Sequence, residues 1–170
     1  MCIRDRLKAV NIRTAPFPGF PTDLQAPFSA LMTIASGESK IIETIFENRM
    51  NHVQLLKKMG ANIKLNKNIA YIKGVKTIIG QDLVASDLRS SAALIIAGII
   101  AKGNSNIYGL EHLDRGYENF ESKLKMLGIK ITRENNKRAF TDKEYKIDSD
   151  SEEIPRCRAA WKINYLLTFL

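Results

Sequence analysis

The chain has 170 residues, 45% of them apolar and 26% charged, which suits one domain with one core and excludes both a disordered chain and a large multidomain machine. It has no run near the roughly 18 apolar residues of a membrane span and no apolar secretion segment at Met1 to Arg6, so a soluble, cytoplasmic protein is expected. The net charge of +8 is scattered rather than run together, so an anionic small molecule explains its sign as well as a nucleic acid would, and neither a nucleic-acid nor a membrane partner is expected.

In chain order, residues 23–36 place Leu24, Phe28, Leu31, Met32 and Ala35 at helical spacing and end at Gly37, which predicts a helix. Thr22-Asp23-Leu24-Gln25 before it fits the capping-box pattern. Asp23 then falls in the first helical turn, where the dipole favours a carboxylate that can accept a proton. Pro27 is out of place there, since it removes a helical hydrogen bond. The Pro16 to Phe20 loop reads as packing that leads into this helix.

Residues 40–46, rich in β-branched types, predict a strand. A second helix is expected from about Arg49, capped by Asn48, with Val53, Leu56 and Met59 on one face and Gly60 as its stop. Residues 62–65 and 69–72 alternate as a hairpin around Asn66-Lys67-Asn68. Further on, a helix at 87–101, a strand at 105–110, a helix at 115–127 and a strand at 129–133 are predicted.

This order repeats. Thr22-Asp23-Leu24-Gln25 returns as Ser86-Asp87-Leu88-Arg89, Asn48-Arg49 as Asp114-Arg115, and Leu56-Lys57-Lys58-Met59-Gly60 as Leu124-Lys125-Met126-Leu127-Gly128. Such a period implies one supersecondary unit used more than once, here a βαβαββ unit of α/β class, with fewer than three units expected to be marginal. The boundaries expected are 1–12 as a partial element or non-native leader, 13–133 as the domain fragment with two repeats, and 134–170 as an unassigned, non-native tail that ends in a short amphipathic helix at 161–170.

Arg49, Arg89 and Arg115 would then sit at repeat-equivalent helix starts, where the dipole disfavours a cation, so an anion is expected beside them. Arg89 also stands where the first copy has its capping residue Gln25. His52 and His112 read as ordinary surface or core residues, and two distant cysteines with two histidines suggest neither a metal site nor a cofactor. Cys157, between Arg156 and Arg158, falls in the tail and is not expected to be a nucleophile.

The segments Phe20-Pro21-Thr22-Asp23-Leu24-Gln25, Glu43-Thr44-Ile45-Phe46-Glu47-Asn48-Arg49, Asp87-Leu88-Arg89-Ser90-Ser91 and Asp114-Arg115-Gly116-Tyr117-Glu118 stand in the order and spacing of a known family. Over residues 14–133 the chain resembles the C-terminal part of the UDP-N-acetylglucosamine enolpyruvyl transferases. That resemblance implies an inside-out α/β barrel of repeated units, here incomplete. It also implies transfer of enolpyruvyl from phosphoenolpyruvate to the sugar 3-hydroxyl in peptidoglycan precursor synthesis, and so a part in cell wall biogenesis, cell shape and cell division. It makes Asp23 the general base at that hydroxyl, Ile45 and Phe46 contacts of the UDP-sugar, and Arg115 a ligand of the phosphoenolpyruvate anion. Arg49, Arg89 and Asp87 become interdomain cleft residues that help position substrates or close the domains. The family's Lys-Asn pair, its remaining substrate arginines and its proton-donor loop have no counterpart here, so the 170 residues alone are expected to be inactive. The alternatives are the shikimate-pathway enolpyruvyl transferase and a non-catalytic module that binds anions or nucleic acid.

Overall fold

Two runs of strand and helix with one connectivity fill the computed structural model, which describes residues 7–134 and 144–148. The first run is β1 (Ile12–Arg13), α1 (Gln25–Met32), β2 (Glu38–Ile42), α2 (Asn51–Lys58), β3 (Asn62–Asn66) and β4 (Ile69–Lys73). The second is β5 (Asp82–Val84), α3 (Leu88–Ile100), β6 (Ser105–Tyr108), α4 (Glu111–Asp114), α5 (Phe120–Met126), β7 (Ile131–Glu134) and β8 (Glu144–Ile147). The sheets run β1-β2-β4-β3 and β5-β6-β8-β7. In each, the first two strands are parallel across a helical crossover and the others pair antiparallel. The predicted βαβαββ repeat is therefore the architecture of the chain.

The helices, not the sheets, form the middle. α3 is buried from Ser90 to Ile100 on every side, as an apolar run without a polar face must be. It packs on α1, α2 and α4 and against its own strands, while α1 packs on β2 and β4. Ile41, Ile63, Ala70 and Ile72 point inward from the first sheet and Ile107, Ile131, Tyr145 and Ile147 from the second, all at most 3% exposed. This is the inside-out α/β arrangement.

The helix stops agree with the sequence, and they agree with each other. Gly60 at φ +91 ends α2, with Gly60 N–H donating to Lys57 O and Ala61 N–H to Leu56 O. Gly128 at φ +72 ends α5 in the same way, with bonds from Gly128 N–H to Lys125 O and from Ile129 N–H to Leu124 O. Both are Schellman ends, whose left-handed residue glycine adopts without the strain a Cβ would bring.

The helix starts differ from expectation. α1 begins at Gln25, so Pro27 lies in its first turn, where an N–H has no partner within the helix. Thr22–Leu24 is a separate 3-10 turn with no side-chain cap. The Thr22 hydroxyl is used elsewhere, and the Gln25 amide donates to Met50 Sδ at 3.1 Å, so the capping box does not form. The strand expected at 40–46 stops at Ile42, and α2 starts at Asn51, two residues after Arg49. The helix expected at 115–127 starts only at Phe120, as α5, and a separate short helix, α4, ends at Asp114 before it, which makes Arg115 the C-cap of α4, the end that favours a cation. The argument from misplaced cations thus fails for Arg49 and Arg115 and holds for Arg89, the second residue of α3.

Residues 7–12, expected as a partial element or non-native leader, run beside the first unit, where Ser36 N–H donates to Leu7 O at 2.6 Å and Ala9 N–H to Ser36 O at 2.9 Å. β8 lies within the expected tail, between β6 and β7, and carries the second unit past residue 133 to Ile147. Cys2, Cys157 and the helix expected at 161–170 lie outside the described residues. Among the described residues no helix is long and apolar enough to cross a membrane.

Candidate functional site

At one end of the packed helices the starts of α1 and α3 lie side by side, with the loop before α2 and the loop after α4 beside them. Asp23, in the turn before α1, is 66% exposed and faces two arginines from the two units. Arg89 Nε and Nη2 reach Asp23 Oδ1 at 2.7 and 2.6 Å, and Arg49 Nη1 reaches the same oxygen at 3.4 Å. Asp23 Oδ2 makes no hydrogen bond to a described residue.

Arg49 is held on three sides. Its Nη1 also donates to Thr22 Oγ1 at 3.0 Å, and its guanidinium carbon lies 3.5 Å from the centre of the Phe46 ring. Burial and the charge of Arg89 push its pKa down, while Asp23 and Glu43 oppose the shift. Two guanidiniums this close, meeting one exposed carboxylate, bring positive charge towards the surface where an anion can reach it, while the Glu43 and Asp87 carboxylates are turned to hydroxyl and backbone N–H donors.

The loop after β2 is built around Glu43, which is only 2% exposed. Glu43 Oε1 accepts from Thr14 Oγ1 at 2.8 Å, Ile45 N–H at 2.9 Å and Phe46 N–H at 3.3 Å, while Oε2 accepts from Thr22 Oγ1 at 2.8 Å. Burial alone would raise this carboxyl, but the bonds from Ile45, Thr22, Thr14 and Phe46 outweigh it and hold the group below its ordinary value. The chain must turn inward to bring these donors to one carboxylate, which is why β2 ends at Ile42. It also leaves Ile45 and Phe46 on the surface, 37% and 45% exposed.

Asp87, expected as a cleft residue, stands at the start of α3 beside Arg89. It is the N-cap of α3, accepting from Arg89 N–H at 3.0 Å and Ser90 N–H at 2.9 Å on Oδ1, and from the Ser90 hydroxyl at 2.6 Å on Oδ2. Burial raises its pKa, but the bonds from Ser90, Arg89 and Ser86 bring it below the ordinary value. Beneath it His52, 1% exposed, has an unpartnered Nε2. Burial pushes His52 down to about 4, against the opposing pull of Asp87 and a bond to the Arg49 backbone.

Arg115 is exposed on the loop after α4 and makes no ion pair with another described residue. Two residues on, Tyr117 lies within electrostatic reach of Asp23 and Arg89; burial first, and Asp23 second, raise its phenol. The structure therefore brings together Asp23, Arg49, Arg89 and Phe46, places Ile45 and Arg115 on flanking loops, and turns Asp87 to capping. Among the described residues no cluster of three or more His, Cys, Asp or Glu is placed to hold a metal ion.

The sequence profile of the family described as EPSP synthase (3-phosphoshikimate 1-carboxyvinyltransferase) matches residues 3–124. The chain belongs to the EPSP synthase family. Within this family it is 77% identical over 154 residues to a UDP-N-acetylglucosamine 1-carboxyvinyltransferase of Prochlorococcus marinus strain MIT 9312, a match that covers 91% of this chain and 34% of that protein. It is 54% identical over 127 residues to the protein of the same name from Synechocystis sp. PCC 6803, covering 75% of this chain and 29% of that one. Among solved structures, the enolpyruvyl transferase NikO from Streptomyces tendae superposes with a TM-score of 0.67 at 26% identity, over 74% of this chain and 29% of its own. The chain thus spans about a third of the length of the curated relatives it matches. The 154-residue match takes in residues 134–153, part of the segment set apart as a tail.

For this EPSP synthase family member, sequence reasoning missed Glu43 and Tyr117, although both stand inside the quoted motifs. The signal for Glu43 was an acidic residue at the end of an apolar strand, where a carboxylate needs several donors to remain buried. Nothing local marks Tyr117, which feels Asp23 from the turn before α1 and Arg89 from α3.

Proposed function

We propose that these residues form one wall of the active site of an enolpyruvyl transferase that takes UDP-N-acetylglucosamine and phosphoenolpyruvate. Asp23 is the base. Its Oδ2, which no described residue bonds, takes the proton of the sugar 3-hydroxyl as that oxygen adds to the enol carbon and the neighbouring CH2 carbon gains a proton from an acid outside this wall. Loss of a proton from the resulting CH3 and of phosphate with its C–O bond then restores the double bond. Arg49 and Arg89 hold Asp23 through Oδ1 and add positive charge for the anionic reactants, and Arg115 supplies a cation for the phosphoenolpyruvate. Ile45, by its backbone, and Phe46 meet the UDP-sugar. The pathway is cytoplasmic peptidoglycan precursor synthesis, and through it cell wall biogenesis, cell shape and cell division.

The observation that carries this reading is the Asp23 carboxylate, clamped on one oxygen by arginines from both units and open on the other. The name shared by the relatives up to 77% identical supports the UDP-sugar over a shikimate acceptor. Heteronuclear NMR of the 170-residue chain titrated with UDP-N-acetylglucosamine tests it. Saturable shifts at Asp23, Ile45 and Phe46 are expected, with none from 3-phosphoshikimate. Absent or reversed selectivity sinks the reading. With this wall alone the chain is expected to release no phosphate from phosphoenolpyruvate, and measurable turnover would show that it holds a whole site.

A further inference from the structure

We infer that Glu43 is a positioning residue of this site, which through one buried carboxylate sets both the Asp23–Arg49 arm and the Ile45–Phe46 loop. The inference rests on the reading of the site given above.

Its two oxygens divide the work. Oε1 gathers Thr14 Oγ1 and the N–H groups of Ile45 and Phe46, and so fixes the backbone of the loop proposed to meet the UDP-sugar. Oε2 takes the hydroxyl proton of Thr22, the residue next to Asp23. With its hydrogen directed at Glu43, Thr22 Oγ1 turns its lone pairs outward and accepts from Arg49 Nη1. A chain of bonds therefore runs from the buried carboxylate through Thr22 to the guanidinium that meets Asp23. Thr14 ties the same carboxylate to the first sheet, where its N–H donates to Ile42 O at 2.9 Å and its hydroxyl also accepts from Thr44 N–H at 2.9 Å. Glu43 touches neither Asp23 nor the exposed faces of Ile45 and Phe46, so it acts through other groups.

Glu43→Gln separates the two arms. The amide oxygen can keep the three donors on the Oε1 side, but the amide nitrogen then faces Thr22 Oγ1 with a donor. That oxygen has two lone pairs and can accept from both the amide and Arg49, but its own proton then loses the carboxylate that oriented it, and the charge behind the Thr22–Arg49 bond is gone. The expected result is an Arg49 side-chain Nε–Hε resonance that shifts and broadens, and affinity for UDP-N-acetylglucosamine about tenfold weaker, the scale of one charged hydrogen bond. Thr22→Val cuts the same chain and is expected to do the same. Because both variants break one connection, the double variant is expected to bind no more weakly than either single one. Losses that add, or an unmoved Arg49 resonance, overturn the inference.

If the wild-type chain does not bind the UDP-sugar, the proposed function fails, and the same cycle read on the Arg49 resonance still decides the role of Glu43. If Glu43→Gln does not fold, the wild-type chain decides it: the Ile45 and Phe46 amide protons are expected to follow the Glu43 carboxyl carbon through one acid transition. Independent transitions overturn it.

Discussion

Asp23 and Arg89 lie 66 residues apart, one in each unit, and Arg89 Nη2 stands 2.6 Å from Asp23 Oδ1. The pair forms because α1 and α3 pack against each other, which sets the two helix starts at one end of the core. It is a contact between repeats, at positions where each unit alone would have only a turn and a helix start.

Replacing Asp23 with Asn should leave stability nearly unchanged, since an ion pair with a 66% exposed partner contributes at most about 1 kcal/mol. The two guanidiniums would lose their neutralising charge, so inorganic phosphate should bind severalfold tighter, and more so at low salt. Calorimetric titration with phosphate checks this. Unchanged or weaker phosphate binding would show that the arginines do not form an anion site.

Arg115 is exposed, so Arg115→Ala should shift unfolding free energy by less than about 0.5 kcal/mol. It should weaken phosphoenolpyruvate binding and leave UDP-N-acetylglucosamine binding intact. NMR titrations with each compound separate the two effects, and equal losses would argue against the assigned role.

His52 gives the fold an acid weakness. Its folded pKa, about 4, lies below the ordinary 6.5, so the unfolded chain takes up the proton first and stability falls as pH drops from about 6.5 towards 4. The loss should reach about 3 kcal/mol across that window. Glu43 and Asp87, whose pKa values are lowered, add their own losses only below their ordinary 4.5 and 3.8. Urea unfolding of wild type and His52→Leu at pH 7, 5.5 and 4.5 tests this, with the variant expected to show the flatter profile.

Asp87→Ala removes the cap of α3 and should cost about 1 kcal/mol, whereas Asp87→Asn keeps an oxygen for the Arg89 and Ser90 N–H groups and should cost less. The Asn variant also removes the charge that favours protonated His52, so the His52 transition should move further down. Thermal unfolding and a histidine NMR titration read the two effects. Equal stability losses would mean that the charge, not the cap, is what α3 requires.

The glycines separate conformational cost from steric cost. A Cβ on Gly60 meets nothing within 4 Å, so Gly60→Ala should cost only its left-handed φ of +91, about 1 kcal/mol. A Cβ on Gly74 would stand 1.6 Å from Ala35 O, a backbone atom that cannot move aside without breaking the turn after α1. Gly74→Ala should therefore cost more than about 3 kcal/mol or prevent folding. Denaturant unfolding of both variants gives the comparison.

What the sequence determined by itself is whatever rests on local chemistry and on period. Helical spacing in 87–101, the alternation on either side of Asn66 to Asn68, and the Gly60 and Gly128 stops are properties of a few consecutive residues, and the structure keeps them. The self-similar segments gave the βαβαββ order, because one unit repeated must meet one packing problem twice. Tertiary structure decided where the ends of elements fall and what the charged residues do there. Thr22 fits a capping box on paper, yet its hydroxyl goes to Glu43, 21 residues away, because a buried carboxylate demands donors more strongly than a helix start demands a cap. Arg115 follows a capping residue in the sequence, yet Asp114 closes α4 and pairs with Arg133 at 2.5 Å, so the helix starts later, at Phe120. β8 lay unseen because its polar alternation is ordinary until β6 and β7 offer it two edges. The site belongs to this second kind: Asp23, Glu43 and Arg49 are joined through Thr22 by contacts 21 to 27 residues apart within the first unit, and Arg89 reaches Asp23 only because the two units pack their helices together, relations that no local pattern encodes.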